Sequence, residues 1–184
     1  GNDWMLKKIR KGINTQDVLE TCKIIKKYKI HLQTFFIVGF PDETIESLDD
    51  TIDFMFKIPV DTIIYSIFTP YYGTELFKDC EDKGIIPDDF DVSLYNHQSP
   101  ENYFCPNIPK EIFNNKIRKL ENKIDRLNNA RRILSLFSLY GLAKLRERGL
   151  IKSTKRLFEI IFTYSRSSLS GSLSWSSTEV SDYK

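Results

Sequence analysis

The chain has 184 residues, of which 41% are hydrophobic, so it is long enough for one domain with a buried core. Residues 1–107 carry 11 Lys/Arg against 18 Asp/Glu (net −7) and residues 108–164 carry 14 against 5 (net +9), so the total of +2 excludes no class of partner. Three widely spaced cysteines argue against a disulfide framework and favour a reducing, cytoplasmic compartment, and we expect neither a signal peptide nor a membrane span, which needs ~18 apolar residues.

The start of the chain predicts two helices. A short helix over residues 4–10 ends at Gly12, because glycine adopts the left-handed conformation that closes helices. Asn14 or Thr15 then caps a second helix that extends to about residue 28, with apolar residues at helical spacing.

Two apolar runs then predict strands. The first, at residues 31–38, hardly alternates between apolar and polar residues, which predicts a strand covered on both faces, as in a parallel sheet under helices. Thr44 caps the helix that follows, Pro59 ends it, and residues 61–68 form the second strand before a helix capped by Thr74. Strand and helix units of about 30 residues are typical of a barrel or open sheet, and two strands are too few for a parallel sheet on its own.

The chain changes character after residue 86. Residues 87–109 are irregular and rich in Pro, Asn and Asp, and residues 110–164 are predicted to be mostly helical. Residues 165–184 are about half serine, which predicts a disordered tail. One face of the helical region is marked by Ile112, Lys116, Leu120, Ile124 and Leu127.

Three short motifs occur in a fixed order in the first part of the chain. The second and third motifs lie at the carboxyl ends of the two predicted strands, where α/β proteins place their ligand-binding loops. The motifs are GND with KG within residues 1–12, FIVGFPDET at 36–44, and TPYYGTEL at 69–76.

Together these motifs resemble radical S-adenosylmethionine (SAM) enzymes, most closely the branch with an N-terminal cobalamin-binding domain. The similarity covers residues 1–86 and continues more weakly through Phe104. It implies a partial (β/α)6 TIM-like barrel, of which this chain holds about strands five and six. It also implies SAM and a [4Fe–4S] cluster as cofactors, with cobalamin in the full-length protein.

In such enzymes the cluster reductively cleaves SAM and starts radical chemistry on an unactivated carbon. The resemblance implies a methylation, cyclisation or rearrangement of an unknown small molecule. We expect no nucleic-acid partner, because basic helix faces are usually only solvated. The CxxxCxxC loop that holds the cluster is absent from this sequence. We therefore expect the N-terminal part of the same enzyme as a partner, and the chain alone to be inactive.

The resemblance also implies six cofactor-binding residues and no catalytic or metal-binding ones. An apolar side chain packs on the adenine ring, a glycine lets the backbone approach it, and a cation faces the SAM carboxylate. The implied residues are Lys11, Ile37, Gly39, Glu43, Phe68 and Pro70.

Alternatives remain open for most of these residues. Ile37 is otherwise ordinary strand core, Lys11 a solvated lysine, and Glu43 a carboxylate in the first turn of a helix. Phe68 and Pro70 are otherwise parts of a rigid turn. Two positions also depart from the family pattern, because Phe35 stands where several branches have a polar residue and Tyr72 where a proline is common.

The cysteines and histidines have structural interpretations first. Cys22 and Cys80 lie on predicted helix faces as small core residues, and His31 opens a strand on the face opposite the site. Cys105 precedes a proline in the loop and is predicted to be exposed, either as a spectator thiol or in contact with substrate or a second cluster. His97 lies in the same loop, with or without a role at the mouth of the barrel.

A rival hypothesis is a binding module without catalysis. The basic helical region then holds RNA or an anionic membrane surface, with the strands as scaffold. A third hypothesis, compatible with the first, is an incomplete gene product with no activity of its own and an open sheet edge that lowers its solubility.

Overall fold

The computed structural model describes residues 1–95 and 102–136. Contacts divide the chain into two units, Gly1–Asn128 and Asn129–Lys184. The predicted division into 1–86, 87–109, 110–164 and 165–184 stays a prediction, and His97, the helical region beyond residue 136 and the tail lie outside the described residues. The elements in order are α1 Asp3–Lys8, α2 Thr15–Lys27, β1 Gln33–Val38, α3 Ile45–Lys57, β2 Thr62–Ile67, α4 Glu75–Asp82, a 3-10 turn Val92–Leu94 and α5 Lys110–Leu136.

The strands β1 and β2 form a parallel two-stranded sheet, in register from Gln33 opposite Thr62 to Val38 opposite Ile67. Because the connection between them contains α3, this is a strand–helix–strand unit. The predicted α/β class with a parallel sheet is confirmed, and the predicted barrel remains a prediction.

Local sequence explains where the helices begin and end. The Thr44 hydroxyl accepts a hydrogen bond from the Ser47 amide at 3.2 Å, and the Ser47 hydroxyl accepts one from the Thr44 amide at 2.9 Å. This capping box fixes the start of α3, and the Thr74 hydroxyl caps α4 with a single hydrogen bond that it accepts from the Phe77 amide at 3.1 Å. Pro59 follows the end of α3, so the predicted caps and stop are confirmed.

One face of the sheet is buried and the other is open. Phe36 and Val38 point into the main core, whereas the side chains of Phe35 and Ile37 are 72% and 51% exposed. The prediction that both faces of this strand are covered is therefore wrong for the described residues. Helices α3 and α5 supply core residues on the Val38 side, and no described element covers the other side.

The main core lies between the sheet and helices α3 and α5. Burial of large apolar side chains is the main favourable contribution to folding, at roughly 25 cal/mol per Å². The largest fully buried members include Leu48, Met55, Ile63, Ile67 and Phe113.

The buried face of α5 differs from the predicted one at its start. Ile112 is 40% exposed, and the ammonium of Lys116 forms an ion pair with Asp49 at 2.5 Å. Phe113 and Ile117 are buried instead, followed by Leu120 and Ile124 as predicted. Both stripes have helical spacing, so only contact with the sheet decides between them.

A second core cluster at the carboxyl edge of the strands is aromatic. It joins the loops after β1 and β2 to α4 and to the segments on either side of residues 96–101. The ring pairs are offset or edge-to-face, with centroids 5.0 to 6.2 Å apart, in the range where aromatic pairs are favourable. Its rings include Phe40, Phe68, Phe77, Phe90 and Phe104.

The three cysteines are all buried as free thiols. Cys22 and Cys80 lie on helix faces in the core, as predicted. The prediction that Cys105 is exposed is wrong, because its side chain has no solvent-accessible surface. The segment before Cys105 is bonded to the loop after β2, because the side-chain nitrogen of Asn102 donates to the Thr69 hydroxyl at 2.8 Å.

Asp61 joins three elements at the amino end of the sheet. Its carboxylate accepts from the Lys26 ammonium at 2.7 and 2.5 Å and from the Leu32 amide at 2.8 Å, and it lies 3.8 Å from His31. Burial raises the pKa of Asp61, but these hydrogen bonds outweigh burial and hold that pKa below its usual value. His31 thus lies at the end of β1 opposite the strand-end loops.

Candidate functional site

An open cleft of about 360 Å³ lies at the carboxyl ends of the two strands. Parallel strands bring their carboxyl ends to one edge, and the loops that follow them surround the cleft. Its walls are mostly apolar, with a few hydroxyl groups. The residues that line it include Ile37, Phe40, Ser66, Phe68, Thr69 and Tyr71.

Ile37 lies on the surface of the cleft, where its side chain is accessible to a ligand. Its side chain is on the open face of β1 and lines the cleft, next to Ser66 on β2. Half of its surface is exposed, so Ile37 is not the fully buried strand residue of the alternative interpretation. Contact between Ile37 and an adenine ring stays a prediction.

Gly39 ends β1 with a backbone that favours glycine. Its φ is +84°, in the left-handed region. A Cβ at this position lies 3.0 Å from Phe113 Cζ and 3.3 Å from Ile67 Cγ2, closer than side chains normally pack. The described structure therefore requires Gly39 both for the turn and for close packing against α5, and an approach of adenine to its backbone stays a prediction.

Glu43 stabilises the turn after β1 through hydrogen bonds to its backbone. It is 1% exposed, and one carboxylate oxygen accepts from the amides of Gly39 and of Phe40, the latter at 3.2 Å. Burial raises the pKa of Glu43 to about 7, and these two hydrogen bonds oppose that increase.

The position of Glu43 rules out one interpretation from the sequence. Helix α3 begins at Ile45 with Thr44 as its cap, so Glu43 lies before the helix, and the acidic residue of its first turn is Glu46. Glu43 is also absent from the cleft lining. Its hydrogen bonds to the Gly39 and Phe40 amides make it a residue that positions the turn carrying Phe40.

Asp42 anchors the same loop through ion pairs with two lysines. Its carboxylate accepts from the ammonium of Lys83, the C-cap residue of α4, at 2.9 Å and lies 3.3 Å from the ammonium of Lys8 on α1. Burial raises the pKa of Asp42, and the two lysines outweigh burial and hold it below its usual value. The loop is thus held to two helices by charge.

The loop after β2 contributes aromatic side chains to the cleft and to the second core cluster. Phe68 lines the cleft, and its ring packs on Phe40 with centroids 5.0 Å apart. Pro70 is fully buried and is not among the residues that line the cleft, so its contact with SAM and its alternative place in a rigid turn both stay predictions. Tyr72, where the family often has proline, packs on Phe77 at 4.6 Å and its hydroxyl donates to the carbonyl of Phe90.

Lys11 lies away from the cleft lining. It occupies the turn between α1 and α2, its side chain is exposed, and its amide donates to the carbonyl of Leu6 at 2.9 Å. The structure therefore brings together Ile37 and Phe68 in the cleft with Gly39 and Glu43 behind them. It does not bring Lys11 or Pro70 to the same surface.

Seven residues that line the cleft were not predicted as site residues from the sequence: Phe40, Ser66, Ile67, Thr69, Tyr71, Thr74 and Leu76. Ser66 was predictable, because the register of two parallel strands places it beside Ile37. Phe40, Thr69 and Tyr71 follow the strand ends, and their use in the cleft depends on loop conformations that no local pattern specifies.

The basic helix has its own protein contacts where it is described. Lys116 pairs with Asp49, and the ammonium of Lys123 lies 3.8 Å from the centre of the Phe56 ring. The binding of RNA or a membrane surface stays a prediction. No helix among the described residues is long and apolar enough to cross a membrane, and no cluster of His, Cys, Asp and Glu there is arranged as a metal site.

Comparison with known proteins gives partial matches. No protein-family model matches the chain. An uncharacterized methyltransferase of Pyrococcus horikoshii is 42% identical over 74 residues, which is 40% of this chain and 16% of that protein. Bacteriochlorophyllide d C-12(1)-methyltransferase of Chlorobaculum tepidum is 32% identical over 83 residues, 45% of this chain and 18% of that protein.

A third relative comes from a different reaction class. Anaerobic magnesium-protoporphyrin IX monomethyl ester cyclase of Cereibacter sphaeroides is 31% identical over 81 residues, 44% of this chain and 13% of that protein. The chain thus matches less than a fifth of the length of each of these relatives. They confirm the family resemblance inferred from the sequence motifs.

Proposed function

We propose, from the premise that the homologues of this chain are radical SAM enzymes, that it forms the adenine-side wall of a SAM site. In this proposal β1 and β2 are about strands five and six of a partial (β/α)6 barrel, and the remaining strands come from the rest of a longer enzyme. The observation that carries it is the cleft at the carboxyl ends of both strands, with Ile37 half exposed inside it.

The chemistry of the cleft suits an adenosyl group. Adenine is flat and largely apolar, and Ile37, Phe40 and Phe68 offer apolar contact area. The hydroxyls of Ser66 and Thr69 are donors and acceptors near that surface, of the kind that orient a polar edge. The turn held by Glu43 keeps Phe40 in place.

The residues present do not fit an iron–sulfur cluster. Cys22 and Cys105 belong to one core cluster and Cys80 to the other, and all three are buried. The cluster ligands therefore come from outside this chain in our proposal, as the resemblance implies. When bound in the whole enzyme, the cluster supplies the electron that cleaves SAM.

The reaction of the whole enzyme is a radical methylation, cyclisation or rearrangement in this proposal. A methyltransferase and a cyclase among the relatives support the first two outcomes. Cobalamin in the full-length protein and a cytoplasmic location rest on the resemblance and on cysteine usage, and the substrate is a small molecule of unknown class.

Nucleotide binding tests the proposal without a cluster. We expect S-adenosylhomocysteine, titrated into the ¹⁵N-labelled chain, to shift the amide signals of Ile37, Ser66 and Phe68. Ile37→Asp places a charge in the apolar wall and is expected to weaken this binding by about tenfold or more. Ile30→Asp is the matched control, because Ile30 is 55% exposed and lies outside the cleft lining. Equal loss in both variants, or shifts confined to other residues, contradicts the proposal.

A further inference from the structure

The two edges of the sheet differ. Thr62 donates to the Leu32 carbonyl at 3.3 Å, and Phe68 donates to the Val38 carbonyl at 2.8 Å. Backbone groups along a strand alternate in direction, so the even-numbered residues of both strands face the shared ladder. The odd-numbered residues direct their amides and carbonyls toward the outer edges.

The outer edge of β2 carries a side-chain partner. The Asn128 carboxamide oxygen accepts from the Ile63 amide at 3.1 Å, and its nitrogen donates to the Ile63 carbonyl at 2.8 Å. A carboxamide offers the same donor and acceptor as a peptide group, so Asn128 occupies the place of a neighbouring strand. Leu120 and Ile124 hold α5 there, because they share the core cluster of Ile63.

The outer edge of β1 is different. Gln33, Phe35 and Ile37 direct their backbone groups outward, and no hydrogen bond joins these groups to another part of the described chain. The side chains of Phe35 and Ile37 are also among the exposed large apolar ones. Such an edge is a template for pairing with another strand.

We propose that Asn128 is an edge cap that makes β2 the last strand of the sheet, so that a further strand is added only at β1. A strand beside Ile63 has to displace the Asn128 carboxamide from the Ile63 backbone groups, whereas a strand beside Phe35 displaces nothing among the described residues. The occupant of the β1 edge is an extended segment from the rest of the longer enzyme. Only the source of that segment rests on the proposed function.

Hydrogen exchange of single amides tests the cap in the full 184-residue chain. We expect Asn128→Ala to speed exchange of the Ile63 amide at least tenfold and to leave that of Ile64, which faces β1, unchanged. Asn115→Ala, at an exposed asparagine of the same helix, is expected to change neither. Asn128→Asp retains an acceptor for the Ile63 amide and is expected to retain its protection. Loss of protection in both Asn128 variants, or no difference from Asn115→Ala, overturns the cap.

Self-association tests the difference between the edges. We expect the chain to form nothing larger than a dimer in sedimentation, since one edge is open, and Asn128→Ala to form larger species. Adding Phe35→Pro removes an outward amide without breaking the ladder, because proline is tolerated where the amide faces away from the neighbouring strand. This double variant is expected to be no larger than the unmodified chain. An Asn128→Ala variant no larger than Asn115→Ala, or a double variant as large as Asn128→Ala, overturns the proposal. Neither measurement uses SAM, so failure of nucleotide binding leaves this test intact.

Discussion

At the scale of single residues, Glu43 combines a structural role with an ionisable group. Its carboxylate is buried at the turn after β1, where the amides of Gly39 and Phe40 donate to it. Burial raises its pKa to about 7 from an ordinary 4.5. Proton uptake is thus favoured in the folded state at a pH where the unfolded chain is already ionised, which makes the turn sensitive to pH.

The stability of the chain should depend on pH through this group. Since the pKa of Glu43 is higher in the folded state, its contribution is complete below pH 4.5 and is lost as pH rises to about 7. Glu43→Gln keeps an acceptor for both amides and removes the ionisation. We expect the free energy of unfolding, measured in denaturant from pH 4 to 8, to fall by up to about 3 kcal/mol more in the unmodified chain than in the variant.

Two neighbouring groups bear on this comparison. Burial lowers the pKa of the Gly1 amine to about 6, which acts in the opposite direction between pH 6 and 8. Burial, with the nearby Glu43 carboxylate, raises the pKa of the Cys105 thiol to about 12, so this thiol stays neutral. The Glu43 carboxylate raises the pKa of the Gly1 amine, so the difference between the two proteins reports on Glu43 together with its interaction with Gly1. Parallel pH profiles for the two proteins contradict the prediction.

At the scale of elements, the end of β1 and the start of α5 determine each other's packing. Gly39 has the left-handed conformation, and Phe113 fills the space where its Cβ would be. The sequence pattern of α5 fits two adjacent faces equally well, and this contact helps select the one that contains Phe113. A turn glycine thus specifies the seating of a helix more than seventy positions later in the chain.

A comparison of Gly39 and Gly73 distinguishes the cost of a left-handed backbone from the cost of a crowded side chain. Gly39 and Gly73 have φ values of +84° and +80°, but a Cβ at Gly73 has no neighbour within 4 Å. We expect Gly73→Ala to cost about 1 kcal/mol for its conformation and Gly39→Ala a further ~1–3 kcal/mol for overpacking against Phe113. Denaturant unfolding measures both, and equal losses would show that Phe113 moves aside freely.

At the scale of the whole molecule, the chain contains a sheet with one buried and one open face. The curated relatives are far longer, since the matched part is 13–18% of their length. Among the described residues, one sheet face is open and the β1 edge is unpaired, as expected in the function that we propose when only two strands of a larger sheet are present. The capped β2 edge gives that sheet a defined end.

Anaerobic reconstitution tests what the chain does on its own. We expect incubation with iron and sulfide to give no cluster absorbance, and added SAM with a reductant to give no 5′-deoxyadenosine. The physical reason is that three cysteine thiolates must converge on a cluster, whereas these three are buried and split between two cores. A coloured species that cleaves SAM would contradict this expectation.

The sequence by itself determined the features that depend on neighbouring residues. The caps at Thr44 and Thr74, the two strands and their parallel arrangement follow from local hydrogen bonding and spacing, and the resemblance to radical SAM enzymes follows from motifs in order. Only the tertiary structure decided which face of β1 is open, that Cys105 is buried, and that Glu43 turns back to β1. Only it showed Asn128 at the edge of β2. The open face of β1, the burial of Cys105 and the place of Asn128 depend on contacts between residues distant in the chain, and an apolar strand or a helical stripe has the same local pattern whichever partner covers it. Glu43 is close in sequence to its partners, but its hydrogen bonds depend on the conformation of the loop after β1.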